Sequence, residues 1–172
     1  MLTVRVATVD DAAAIGRVHV RGWRWAYREL LAGAAFLQTP EEAMGERWRT
    51  LLHDATPDDR TWVAEVDGSV AGICHTGPCR DADAQPGWME VQSVYLGAEE
   101  LAGRGIGRTL MNHALDDMRT RGATAVTLWV LRDNARARRF YAAAGFVADG
   151  TEKVDVGRDG VRFEEVRYRR AM

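Results

Sequence analysis

The chain has 172 residues, the length of one ordinary domain, so we predict a single domain over residues 1–172. Its 47% of hydrophobic residues suffice for a sizeable core, and its formal net charge of −2 gives no sign of a nucleic-acid partner. No apolar run approaches the roughly 20 residues that span a bilayer, and no secretory signal opens the chain. We therefore expect a cytoplasmic protein without a membrane partner.

The two cysteines, Cys74 and Cys79, are expected to be free thiols in a reducing compartment. Cys74 and His75 followed by Cys79 fit no common zinc-ligand spacing, and a second ligand pair is missing. We therefore predict that no metal is bound.

The first half of the chain predicts a strand, two helices and a hairpin. An acidic pair can cap the first helix, and a proline with acidic residues behind it opens the second. Asp67-Gly68 is the clearest hairpin turn. The predicted elements are a strand at Leu2–Val6, a helix after Asp10 or Asp11, a helix that opens at 39–42, strands at 61–66 and 70–75, and a loop at 78–87.

The second half alternates strands and helices and ends in another hairpin, around Asp159-Gly160. Its elements are a strand at Trp88–Leu96, a helix that follows a glycine cluster and ends near Gly122, an apolar strand at Ala125–Leu131, a helix at 134–144, and strands at 153–156 and 161–168. This order predicts one α/β (α+β) domain around a mixed, twisted sheet.

Gly103, Gly105 and Gly107 form the glycine cluster, which lies between a strand and a helix. Glycines let backbone N–H groups approach a ligand, and the helix N-terminus adds partial positive charge, so the site suits a phosphate or diphosphate. The spacing G-x-G-x-G disfavours both the dinucleotide fingerprint and the Walker loop. A tight turn without a ligand remains the alternative.

The segment from about Trp88 to Gly150 resembles the GNAT superfamily of N-acetyltransferases. Residues 90–96, EVQSVYL, look like the strand that precedes the cofactor loop of that family. Residues 102–107, AGRGIG, look like its [QR]-x-x-G-x-[GA] diphosphate loop, and residues 134–146 match N-x-x-A-x-x-F-Y-x-x-x-G-F. Ala102 departs from the usual Gln or Arg, so we expect a weaker side-chain contact and reduced cofactor affinity without loss of binding.

The resemblance implies a central sheet of about six or seven strands, flanked by helices and splayed between the fourth and fifth strands, where acetyl-coenzyme A (acetyl-CoA) binds. It also implies a bulge near Tyr95–Leu96 that aims a backbone N–H at the thioester. The implied cofactor-binding residues are Val94, Tyr95, Leu96, Ala102, Gly103, Arg104, Gly105, Ile106, Gly107, Arg108, Asn134 and Tyr141.

Two residues are implied to be catalytic. Glu90 occupies the family-like position for a base that takes a proton from an amine, whose ordinary pKa is about 10.4. Tyr141 looks like the acid that protonates the leaving thiolate. The alternatives are a surface carboxylate for Glu90, a core aromatic for Tyr141 and a helix cap for Asn134.

Trp23, Tyr27, His75 and Trp88 are the residues expected to contact the acceptor, with core packing as the alternative for Trp23 and Tyr27. The predicted reaction is acetyl transfer from acetyl-CoA to a primary amine of a small molecule, by direct attack in a ternary complex. A peptide or protein N-terminal acetyltransferase and a non-catalytic acetyl-CoA sensor are the alternatives. Edge strands in the last hairpin make a homodimer plausible.

Overall fold

Alternating strand patterns and two glycine-containing turns organise the chain into seven strands and four α-helices. A computed structural model describes all residues from Met1 to Met172. The strands are β1 (Leu2–Val6), β2 (Arg60–Val66), β3 (Ser69–Pro78), β4 (Trp88–Leu96), β5 (Ala125–Leu131), β6 (Val147–Val156) and β7 (Arg162–Ala171). The helices are α1 (Ala12–Tyr27), α2 (Glu41–His53), α3 (Ile106–Thr120) and α4 (Ala135–Ala143). None of these helices has the length and apolar character needed to cross a membrane.

Both predicted hairpins are confirmed. Asp67 and Gly68 join β2 to β3 with φ angles of 49° and 81°, the left-handed conformation that a two-residue turn requires. Gly160, with φ of 78°, lies in the turn between β6 and β7. The strand before that turn begins at Val147, earlier than predicted, because the register shift between Ala148 and Glu152 interrupts its alternation.

The sheet has the order β1-β2-β3-β4-β5-β7-β6, and its only parallel pair is β4 with β5. These two strands pair only from Trp88 to Glu90 on β4 and from Ala125 to Thr127 on β5. Beyond those positions each strand stays bonded to its other neighbour but not to its counterpart. The predicted splay between the fourth and fifth strands is therefore present.

The two faces of the sheet carry different helices. On the back face α3 buries a stripe at helical spacing against β2, β3 and β4, and its members are Leu110, Met111, Ala114, Leu115 and Met118. On the front face α1 and α2 pack over β2, β3 and β4. Gly122 ends α3 in the left-handed conformation, with φ of 84°, as predicted.

The bulge predicted near Tyr95–Leu96 is wrong. Tyr95 pairs with Ile73 and Leu96 with Gly72 in an unbroken register, and the shift lies earlier, between His75 and Thr76 on β3. On β4 this shift leaves Gln92 as the extra residue, between Val91 and Ser93.

Candidate active site

A cavity of about 610 Å³ opens where β4 and β5 diverge. Every residue predicted to bind the cofactor lines it. The lining comprises Gly22, Trp25, Ala26 and Tyr27 of α1, Val94, Tyr95 and Leu96 of β4, residues 101–108, and Asn134, Arg136, Ala137, Phe140 and Tyr141. Its volume lies in the range typical of sites for small molecules and cofactors.

The glycine loop presents a run of free backbone donors. Gly103 and Gly105 have φ angles of 75° and 83°, which a residue with a side chain adopts only with strain. The N–H groups from Gly103 to Arg108 donate no hydrogen bond within the protein, because the first helical bond of α3 runs from Thr109 to the carbonyl of Gly105. Consecutive free N–H groups at a helix N-terminus form an anion site.

Ala102 contributes no polar side chain to this loop, and its N–H donates to the carbonyl of Glu99 at 2.9 Å. The loop therefore keeps its backbone donors without a residue of the Gln or Arg type at that position. Arg104 and Arg108 also line the cavity and form no ion pair with a carboxylate, so they add uncompensated positive charge at its rim.

Trp25 and Arg136 meet across the cavity. The guanidinium carbon of Arg136, at the start of α4, lies 3.8 Å from the centre of the Trp25 ring on α1. Both residues line the cavity, so their stack connects its two walls. No local sequence signal predicts this pair, because its two residues lie over a hundred positions apart in the chain.

Asn134 caps α4, since its side-chain oxygen accepts a hydrogen bond from the N–H of Ala137 at 3.0 Å. The cap leaves the NH₂ group of the Asn134 side chain without a partner in the protein, at the wall of the cavity. Asn134 therefore acts as a helix cap, the alternative role given above, and its free NH₂ group can still contact a ligand.

Tyr141 both packs and lines the cavity. Its ring centre is 5.3 Å from that of Phe140 and 6.3 Å from that of Phe146. Burial raises the pKa of Tyr141 well above its usual value near 10, so the phenol keeps its proton at physiological pH. A neutral phenol beside a cavity can donate a proton or a hydrogen bond.

Glu90 does not line the cavity. It is only 3% exposed, and the guanidinium of Arg80 donates to both of its carboxylate oxygens, at 2.6 and 3.0 Å. The backbone N–H of Arg80 adds a third bond, at 3.2 Å. The base role of Glu90 stays a prediction.

Of the residues predicted to contact the acceptor, only Tyr27 lines the cavity. Trp23 lies on the inner side of α1 and donates a hydrogen bond from Nε1 to the hydroxyl of Tyr95 at 2.9 Å. The pKa of Tyr27 is raised mainly by burial and, to a lesser extent, by the neighbouring Tyr95 side chain. Aromatic side chains therefore surround the front end of the splay.

His75 and Trp88 lie elsewhere on the sheet. His75 is buried on β3, where its Nδ1 is 2.9 Å from the hydroxyl of Thr61. Trp88 begins β4 beside the guanidinium groups of Arg167 and Arg169. Their contact with an acceptor stays a prediction.

Neither cysteine is part of the cavity, and both are free thiols, as predicted. Burial raises the pKa of Cys74 to about 12, and Cys79 contacts the hydroxyl of Thr127 at 3.3 Å. No group of three or more histidine, cysteine, aspartate or glutamate side chains is arranged to hold a metal ion.

Comparison with known proteins agrees with this geometry. The chain is 30% identical to the streptothricin acetyltransferase of Streptomyces lavendulae over 144 residues, which cover 81% of this chain and 72% of that protein. It is 35% identical over 115 residues to the phosphinothricin N-acetyltransferase of Streptomyces viridochromogenes, covering 66% of this chain and 58% of that protein.

The fold matches that of the PaiA N-acetyltransferase from Thermoplasma acidophilum, solved in complex with coenzyme A. The TM-score is 0.78 at 18% identity, and the match covers 100% of this chain and 99% of that chain. The profile of the acetyltransferase (GNAT) family matches residues 20–146. The chain belongs to the GNAT family of acetyltransferases.

Proposed function

We propose that this protein transfers the acetyl group of acetyl-CoA to a primary amine of a small molecule, by direct attack in a ternary complex. The observation that supports the proposal is that two features line the same cavity. The free N–H groups of residues 103–108 lie at one part of the wall, and the splay between β4 and β5 lies at another.

The lining fits acetyl-CoA by its chemistry. The N–H groups of the glycine loop, with Arg104 and Arg108 at the rim, suit the diphosphate. The unpaired edge of β4 from Val94 to Leu96 suits the amide groups of the pantetheine arm. When bound, acetyl-CoA supplies an activated acyl group on a thiol leaving group.

The residues of the chain would then have three tasks. Tyr141, neutral because of its burial, would donate a proton to the departing sulfur. The NH₂ group of Asn134 would bond to the pantetheine arm. A carboxylate would remove the proton of the acceptor's ammonium group, and Glu90 is the residue that the sequence predicts for this step.

A small-molecule acceptor is favoured by the two curated relatives, whose names state streptothricin and phosphinothricin as substrates. The hydrogen bonds from Arg80 to both oxygens of Glu90 instead favour the alternative of a non-catalytic acetyl-CoA sensor.

A homodimer through the terminal hairpin is part of the proposal. β6 is an edge strand, and Val154 and Val156 on it are exposed. The free thiols of Cys74 and Cys79 suit the reducing cytoplasm.

The direct test is release of coenzyme A thiol from acetyl-CoA in the presence of streptothricin, phosphinothricin, spermidine or an alanine-terminated peptide. Amine-dependent release by a small molecule above the rate with the peptide supports the proposal. Preference for the peptide would make the protein an N-terminal acetyltransferase. Binding of acetyl-CoA without release on any amine would make it a sensor.

A further inference from the structure

Arginine side chains hold most carboxylates around the front end of the splay. Arg80 holds Glu90 through both oxygens. Arg167, a side chain of β7 that is 4% exposed, holds a further set at 2.6 to 3.1 Å: Asp81, Asp83 and Asp149. These carboxylates are therefore already engaged by charge-assisted hydrogen bonds from guanidinium groups.

Glu165 is the exception. It pairs directly with Leu131, the last residue of β5, and with Lys153 on β6. Its neighbour Val166 packs in the back core with α3, so Glu165 faces the front, where strand alternation places it. The splay therefore lies one strand away, a spacing of about 4.8 Å, which a glutamate side chain can reach across.

The partner of Glu165 is a primary ammonium group. The Nζ atom of Lys153 lies 3.2 Å from its carboxylate and 4.4 Å from the centre of the Trp129 ring. No other ion pair involves Glu165, whose side chain is 22% exposed. Glu165 and Trp129, which lie outside the cavity lining, thus already hold an alkylammonium group between a carboxylate and an aromatic face.

The charge of Glu165 also reaches the aromatic end of the cavity. The pKa values of Tyr27 and Tyr95 are raised mainly by burial, and the carboxylate of Glu165 raises both further. Tyr27 and Tyr95 line the cavity. Glu165 therefore lies within electrostatic range of the point where the acceptor would meet the acyl group.

We propose that Glu165 binds the ammonium group of an aliphatic amine acceptor and takes its proton, with the acceptor's ammonium in place of that of Lys153. This inference rests on the proposed function. The carboxylate accepts one proton and the ammonium becomes a neutral amine. The nitrogen then bonds to the acetyl carbon, the carbon–sulfur bond breaks, the thiolate takes a proton from Tyr141, and the nitrogen returns one to Tyr141. Glu165 passes its proton to water.

The test is the pH profile of kcat/KM for Glu165→Gln, measured by thiol release with the fastest amine of the panel above. Glu164→Gln is the matched control, because Glu164 is the adjacent residue and pairs with Arg132. At pH 7 we expect a loss of 100-fold or more for Glu165→Gln, at the low end of what a general base contributes. The acetyl-CoA Kd should stay within twofold of that of the wild type.

The loss should shrink about tenfold per pH unit as the amine loses its own proton, which a structural role would not produce. The groups that face Glu165 are Lys153 and Asp155 of β6, Tyr27 of α1 and Tyr95 of β4. All four residues are kept in the variant, so the comparison of the two profiles reports on the replaced carboxylate and its pair with Lys153.

Activity within threefold of the wild type, or a loss that is the same at every pH, would overturn the inference. A pH-recoverable loss in Glu90→Gln but not in Glu165→Gln would also overturn it, in favour of Glu90. If Glu165→Gln does not fold, Glu165→Ala, which also lacks the carboxylate, replaces it and the same criteria apply. A wild type that releases no thiol with any amine would refute the proposed function itself, and this inference with it.

Discussion

At the scale of single residues, the cavity combines a phenol that is held neutral with backbone N–H donors that have no partner in the protein. Tyr141 is neutral because burial disfavours the phenolate. The donors of residues 103–108 are free because glycine conformations turn them away from the acceptors of the protein. The chemistry of the site therefore follows from desolvation at one position and from backbone geometry at another.

Replacing Tyr141 by Phe should lower kcat about 10- to 100-fold, with little change in the acetyl-CoA Kd. The effect is modest because the leaving thiol has an ordinary pKa near 8.5 and departs fairly well without an acid. Steady-state assays of thiol release measure this change in kcat. Tyr168→Phe is the control, since Tyr168 is buried in the back core outside the cavity. Equal rates for Tyr141→Phe and the wild type would exclude Tyr141 as the acid.

The structure brings together the residues that local motifs singled out, and their roles stay predictions. Residues 102–108, Asn134 and Tyr141 lie within short motifs, and all of them line one cavity. The ion pair of Glu90 with Arg80 and the stack of Trp25 on Arg136 were not predicted. Such contacts depend on how loops and helices meet in three dimensions, and the sequence around Arg80 reads only as a polar loop.

At the scale of elements, the loop before α3 depends on its left-handed glycines. Gly105→Ala forces a side chain into φ of 83°, at a cost of about 1–2 kcal/mol. If the loop relaxes, its N–H groups turn away from the diphosphate. We therefore expect the acetyl-CoA Kd to rise about tenfold or more, measured by isothermal titration calorimetry.

Gly68→Ala is the matched control for that change. Gly68 has φ of 81° in the β2–β3 turn and does not line the cavity. The Gly68→Ala variant should lose a similar amount of folding stability, with no change in the acetyl-CoA Kd. A Kd that Gly105→Ala leaves unaltered would show that the loop does not bind the diphosphate.

A hydrogen bond to a titratable histidine links α1 to α2. His19 of α1 accepts a hydrogen bond at Nδ1 from Nε1 of Trp48 on α2, at 2.9 Å, and stacks on Tyr95. Burial lowers the pKa of His19 to about 3. Its folded pKa lies below the unfolded value near 6.5, so the unfolded chain binds more protons at acidic pH and stability falls as the pH decreases through this window.

The free energy of unfolding should therefore fall by up to about 1.4 kcal/mol per pH unit between pH 6.5 and 4.5 on account of His19. Urea unfolding at several pH values measures this slope. His19→Gln keeps an acceptor that does not titrate and should flatten the slope, leaving the smaller contribution of buried His75, whose pKa is also lowered by burial. A slope that stays unchanged in the variant would contradict this account.

Element positions were largely predictable because their signals are local. The bounds of β4 and β5 agree with the predictions, and both hairpin turns were read from an Asp-Gly pair. The bulge at Gln92 was predicted in the wrong place, because its position depends on the register against β3 rather than on the residues of β4. The early start of β6 has the same kind of cause.

At the scale of the whole molecule, the cavity at the splay is lined by side chains of low nucleophilicity. The cavity lining contains no cysteine, serine, histidine or lysine, and its tyrosines have raised pKa values. Cys74 is fully buried on β3 with a pKa of about 12. No group is therefore suited to form an acetyl-enzyme intermediate.

The most direct test of the account is the initial rate of thiol release with both acetyl-CoA and the amine varied. Direct attack in a ternary complex predicts double-reciprocal lines that intersect, with no release of thiol when the amine is absent. Parallel lines, with a protein mass raised by one acetyl group after incubation with acetyl-CoA alone, would contradict it.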